Sequence, residues 1–107
     1  MTERRRRART APDAVVEVRR RPGGEPLGRI INLSRHGFLT LGPAAVTPHQ
    51  RLALWLELGP GEGEPIALVA EAVWCRPSTH SSEYGAGFRI CEIDEADAER
   101  IERAVGG

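Results

Sequence analysis

Lysine is absent from this 107-residue chain, and all fifteen basic residues are arginine. GC-rich codons account for that bias, as they do for the abundance of Ala, Gly and Pro, so arginine content alone marks no site. Cysteine is scarce. Cys75 and Cys91 each lie inside an apolar, strand-like run, where a thiol behaves as a small hydrophobe. That argues against a disulfide framework, and His36, His49 and His80 are too scattered to complete a metal site with them. Aromatic residues number five, Phe38, Trp55, Trp74, Tyr84 and Phe88, with no interleaving of basic and aromatic positions. No apolar run approaches membrane-spanning length. The basic opening "MTERRRRARTAPDAVVEV" imitates a signal peptide, but Asp13 and Glu17 interrupt the apolar stretch behind it. A cytoplasmic chain without membrane insertion is expected. Catalytic fingerprints are missing too: Ser34 has no Gly-x-Ser-x-Gly elbow, and no Walker or dinucleotide motif occurs. The chain does not read as an enzyme, and no cofactor is expected.

What is present is segregated charge. Residues 1–51 hold eleven Arg and four acids, and residues 52–107 hold four Arg and eleven acids, so a net charge of zero hides halves of about +7 and −7. The length suits one domain with one modest core. Residues 1–12, charged, poor in apolar side chains and closed by Pro12, read as a flexible arm preceding a domain over 13–107.

Along that domain the apolar residues come in short runs broken by Gly and Pro. "AVVEVRR", "LGRIINLS" and "GFLTLG" read as three strands. "RLALWLEL" is a fourth, with Leu52, Leu54, Leu56 and Leu58 on one face and Ala53, Trp55 and Glu57 on the other. "IALVAEAVWCR" is a fifth, long enough to bend or bulge in its middle. In the sixth, "YGAGFRI", Gly85 and Gly87 fall on one face and leave room for a neighbouring backbone or side chain. A helix closes the chain: Asp94 is its N-cap, Glu95 and Asp97 occupy its first turn, Arg100 and Arg103 its last turns, and Gly106 and Gly107 its end. Ala98, Ile101 and Val105 make its narrow apolar stripe. Six short strands and one short helix predict an all-β, six-stranded antiparallel barrel plugged or flanked by a C-terminal α-helix.

Two short patterns could carry binding chemistry. In the Arg run, only Arg5 and Arg9 are separated by three residues, giving one Arg-x-x-x-Arg. Guanidinium forks match phosphate oxygens and the O6/N7 edge of guanine, and they stack on bases. By itself, though, a basic tail is more often a solvated arm. The second pattern is Asn32-x-Ser34-x-x-Gly37, in "NLSRHGF". Asn, Ser and a positive-φ Gly are ordinary turn chemistry. Alternatively Asn32 and Ser34, two apart on a strand, present an amide and a hydroxyl to one base edge while Gly37 lets the loop backbone approach.

Taken together, the Arg pair, the strand and turn after it and the Asn-x-Ser-x-x-Gly hairpin resemble the PilZ family, bacterial receptor domains for cyclic di-GMP. "VVEV", "INLSRHGFL", "LALWLEL", "AVWCR" and "YGAGFRI" follow in the family's order over nearly the whole chain. The resemblance implies a six-stranded barrel with a C-terminal helix that binds cyclic di-GMP on its outer face. Arg5 and Arg9 would clasp phosphate and guanine, and Asn32 and Ser34 would read a guanine edge beside Gly37. Arg4, just before the pair, would favour an intercalated cyclic di-GMP dimer over a single molecule. Arg35 and His36 are two further candidates; His36 stands where a second Gly is common, and Asn32 replaces the frequent Asp. The arm is expected to order over the nucleotide, and an unidentified protein effector to receive the signal in trans. Two other readings compete: a small barrel binding single-stranded or nonspecific nucleic acid, and a ligand-independent protein-interaction module with Trp55 as its exposed anchor.

Overall fold

The computed structural model describes residues 17–59, 61 and 63–106. Six antiparallel strands, β1 (Glu17–Arg20), β2 (Pro26–Leu33), β3 (Gly37–Gly42), β4 (Arg51–Glu57), β5 (Ile66–Pro77) and β6 (Tyr84–Ile93), precede one helix, α1 (Glu95–Gly106). The strands close into a barrel in the order β1-β2-β3-β6-β5-β4. The fold is therefore the expected one. Arg4, Arg5 and Arg9, the arm through Pro12, the start of the first strand at Ala14 and the terminal Gly107 all lie outside the described residues.

Alternation decides what fills the barrel. Leu52, Leu54, Leu56 and Leu58 are buried, while Ala53 is exposed and Trp55 and Glu57 are half-exposed, as a strand with one inward face requires. Leu33, Phe38, Phe88 and Ala72 stand opposite one another across β2, β3, β6 and β5, all at most 4 % exposed. The rings of Phe38 and Phe88 stack at 5.0 Å. The helix adds to this interior: its Ile101 is fully buried in the same core, Ala98 is buried, and Ala104 and Val105 are half-buried. It begins directly after Asp94, whose carbonyl accepts the Ala98 N–H at 2.9 Å.

Four register shifts interrupt the ladders among the described residues, and two of them shape the outer face considered below. β2 shifts register between Ile30 and Asn32, so Ile31 has no partner across β3. β5 shifts between Ala72 and Trp74, leaving Val73 in the same position against β6. These are β-bulges, and each re-aims the residues after it. With strict alternation from buried Ile30, Asn32 would point inward and Leu33 outward; the bulge reverses both. Likewise Ala72 points in and Trp74, two residues on, points out. Ile31 and Val73, 53 % and 52 % exposed, are the large hydrophobic residues left in solvent by these two bulges.

The segregated charge resolves into pairing between the halves. Arg19 meets Glu57 at 3.6 Å, Arg29 meets Glu83 at 3.4 Å, and Arg35 meets Glu95 and Glu102 at 3.1 and 3.2 Å. Exposed pairs of this kind contribute only about 0–1 kcal/mol each, so they orient surface side chains more than they stabilise the barrel.

Candidate functional site

The row of residues next to the buried one forms the floor and walls of a surface cavity. Asn32 on β2 is paired with Leu39 on β3, Leu39 with Gly87 on β6, and Gly87 with Trp74 on β5. Their side chains lie on the outer face. A cavity of about 360 Å³ opens there, lined by Asn32, Ser34, Gly37, Leu39, Val73 and Trp74 among others. Asn32 is exposed, and its side-chain amide has no hydrogen-bond partner among the described residues. It is free to offer a donor and an acceptor to a ligand.

Ser34 behaves differently. Its backbone N–H donates to the Gly37 carbonyl at 2.9 Å, its hydroxyl donates to the same carbonyl at 3.4 Å, and it accepts the His36 N–H at 3.2 Å. These are the bonds of a Ser-stabilised turn. The hydroxyl therefore holds the hairpin in shape at the edge of the cavity. Gly37 is a correction to simple turn chemistry, because its φ is not in the left-handed region. What it needs is room: a Cβ there would collide with the Phe88 carbonyl oxygen of the adjacent strand, its carbon only 3.4 Å away. The motif's Gly brings β3 and β6 together under the cavity.

Arg35 turns away from the cavity to the helix. It donates to both carboxylate oxygens of Glu95, at 3.1 and 3.3 Å, and pairs with Glu102. The hydrogen bond to Glu95 and the charge of Glu102 raise its pKa above the usual arginine value, and the charged guanidinium bridges hairpin and helix. His36 is exposed and lines, with Ser34, Arg35, Glu99, Arg103 and Val105, a second and more open depression of about 690 Å³ between hairpin and helix. The two cavities meet at Ser34.

Trp74 is the residue that motif reading did not select. The space expected above Gly85 and Gly87 is filled by its indole: a Cβ on Gly87 would lie 2.8 Å from Trp74 Cε2, and one on Gly85 3.6 Å from Cζ3. The ring lies against bare backbone, half-exposed, with the Arg76 guanidinium 5.6 Å from its centroid. Trp55, in contrast, is not a freely exposed anchor. It is half-buried beneath Arg21, whose guanidinium lies 5.4 Å from the ring and donates to the Leu68 carbonyl at 3.0 Å.

The chain matches the model of the PilZ domain over residues 3–107, a span that includes the barrel, the cavity-lining hairpin and the Arg pair. It belongs to the PilZ domain family. Solved structures share this PilZ fold. The Bacillus subtilis inhibitor of motility MotI/DgrA superposes with a TM-score of 0.71 at 19% identity, over 88% of this chain and 46% of its own. MrkH of K. pneumonia, in a complex with c-di-GMP, gives 0.72 at 18% identity over 89% of this chain and 47% of its own. The PilZ domain of YcgR from Escherichia coli, solved with c-di-GMP, gives 0.63 at 15% identity over 90% of this chain and 83% of its own. The chain thus spans just under half the length of the first two. At such identities the likeness is one of fold. No curated protein matches the chain.

Proposed function

We propose that this PilZ domain is a receptor for cyclic di-GMP, which it binds on the outer face of the barrel and reports to a protein partner. The observation that carries the reading is the exposed amide of Asn32, without a hydrogen-bond partner among the described residues, at the rim of a cavity flanked by Ser34 and Trp74, in a family member whose matched span contains Arg5 and Arg9. Chain direction supports it. Glu17 is paired with Arg29, three residues before Asn32 on the neighbouring strand, so the chain enters the barrel on the order of 10 Å from the cavity. Arg9 is eight residues before Glu17 and within about 26 Å of it along the chain, a reach that covers the site. The complexes of MrkH and YcgR with c-di-GMP agree with this choice of ligand.

In this reading Arg5 and Arg9 hold phosphate and guanine, Asn32 reads a guanine edge, and Ser34 fixes the hairpin while offering its hydroxyl to the same edge. Arg4 supplies one more cation where an intercalated dimer would gather four phosphates, which favours two cyclic di-GMP molecules per chain. The arm closes over the nucleotide, and the output passes to a partner in trans in the cytoplasm. Calorimetric titration with cyclic di-GMP, GMP and single-stranded DNA tests the reading. Heat from cyclic di-GMP alone, with a stoichiometry near two that falls towards one in Arg4→Leu, is expected. Binding of DNA in its place overturns the receptor; a parent stoichiometry of one overturns only the dimer.

A further inference from the structure

The loop of residues 34–36, between β2 and β3, has little of its own to hold it in place. Ser34 and His36 are exposed and Arg35 is half-buried. Among the described residues, the Ser34 hydroxyl bonds within the turn, to the Gly37 carbonyl and the His36 N–H, and the main-chain tie to the neighbouring strand is the Ile90 N–H donating to the His36 carbonyl at 2.9 Å. Arg35 is the loop side chain that bonds beyond the hairpin. Its Nη2 donates to both Glu95 oxygens, and its Nη1 lies 3.2 Å from Glu102 Oε1. Glu95 and Glu102 are seven residues apart in one helix, about 10.5 Å along its axis, and the planar guanidinium spans the gap between them. An exposed pair of long side chains holds little, but a fork shared by two carboxylates of a seated helix is the exception. The helix is seated, because its Ala98 and Ile101 are buried.

We propose that Arg35 is a positioning residue for the nucleotide site: it moors the Asn32-x-Ser34-x-x-Gly37 hairpin to α1, and Glu95 and Glu102 thereby set the affinity for a ligand they do not touch. The inference rests on the cyclic di-GMP reading above. Ser34 lines both the cavity and the depression between hairpin and helix, so the ligand side and the moored side of the loop are one residue apart. A loop held in one shape beforehand loses less freedom when a ligand orders it, and that saving appears as affinity. Coupling of this kind is reciprocal. A ligand that orders the hairpin also tightens Arg35 on α1, which makes the helix the element through which occupancy of the cavity leaves the site.

Arg35→Ala and the double variant Glu95→Ala/Glu102→Ala cut the same link from its two ends, and the side chains they change lie outside the buried core. Each should weaken cyclic di-GMP binding about two- to fivefold in calorimetry, and the triple variant no further, since nothing is left to cut. In the free variants, hydrogen exchange at the Ser34 and Ile90 amides should quicken while exchange in β4 keeps the parent rate. Cyclic di-GMP should slow exchange in α1 of the parent but not of Arg35→Ala. Parent-like or tighter binding by the double variant overturns the mooring, because an arginine that grips the nucleotide itself is released by that change and only Arg35→Ala then binds weakly. Additive losses in the triple variant overturn it as well, as does parent-like exchange at Ser34 in both variants or equal slowing of α1 in the parent and Arg35→Ala. In each of these results the receptor reading survives; a parent chain that gives no heat with cyclic di-GMP overturns the receptor and the positioning role together.

Discussion

Two adjacent rows of the same four strands have opposite fates. Leu33, Phe38, Phe88 and Ala72 are sealed inside the barrel, whereas Asn32, Leu39, Gly87 and Trp74, one step along each strand or two across the β5 bulge, line an open cavity. Regular alternation would not deliver this pair of rows. It takes one extra residue in β2 and one in β5, and each bulge leaves an isoleucine or valine exposed that a regular strand would not. The difference teaches what the two bulges do: the inner row maximises contact, and the outer one leaves space, with a glycine and an amide that has no hydrogen-bond partner among the described residues.

The inner row should break hardest. Phe88→Ala removes a ring that is 4 % exposed and stacked on Phe38, and is expected to lower stability by about 3–5 kcal/mol in urea denaturation. A loss under about 1 kcal/mol would mean that the barrel interior is not packed as described. Changes at the ligand positions should act the other way, on affinity at constant stability. Arg5→Ala and Arg9→Ala each remove charge-assisted hydrogen bonds of about 1.5–3 kcal/mol, so cyclic di-GMP affinity should fall tenfold or more at each, with an unchanged melting temperature. Normal binding by either variant removes that arginine from the site.

Asn32 sharpens the contrast further, because its polar side chain makes no hydrogen bond among the described residues. Asn32→Ala should leave the melting temperature unaltered and raise the affinity for cyclic di-AMP relative to cyclic di-GMP, measured by competition; an unchanged ratio detaches Asn32 from the base edge. Ser34→Ala should shift both quantities, since its hydroxyl also ties the hairpin.

How much of this was legible before the fold depends on how far each signal travels along the chain. The alternation of Leu52 to Leu58 and the cap, charges and end of α1 are local, and they led directly to strand and helix. The hairpin motif was legible as a pattern, but the reason for Gly37 was not, because the Phe88 carbonyl it must clear is fifty-one residues away. Gly85 and Gly87 announced that something must cover them. Naming Trp74 required the register of β5 against β6, which the Val73 bulge sets. The break was visible in retrospect: Ile30-Ile31-Asn32-Leu33 and Ala72-Val73-Trp74-Cys75 both violate strict alternation, and that violation is the local signature of a bulge. Arg35 was read as part of the hairpin's chemistry, and only the fold joins it to Glu95 and Glu102.

The weakest expected effect belongs to a third row, on the other side of the buried one, where Gly37, Arg89, Glu71 and Arg51 stand in register. It carries charge, and of these four residues Gly37 alone borders the cavity. Arg89 donates to Glu71 at 2.6 Å, His49 Nδ1 lies 3.7 Å from the same carboxylate, and Arg51 adds a more distant positive charge. Chiefly through the Arg89 hydrogen bond, the Glu71 carboxyl is held below its ordinary value of 4.5. A depressed carboxyl stabilises the fold above its unfolded pKa and loses that contribution as pH falls through its folded one. The melting temperature of Arg89→Gln should therefore lie slightly below that of the parent at pH 6–7, and the gap should close as pH drops below about 4.5. Because the His49 imidazole also borders the Glu71 carboxylate, both proteins are best compared in a His49→Asn background, which suits the φ of 75° at that position. A gap that stays constant down to pH 3 would show that the Arg89 side chain acts through packing, and the row would then be surface without electrostatic function.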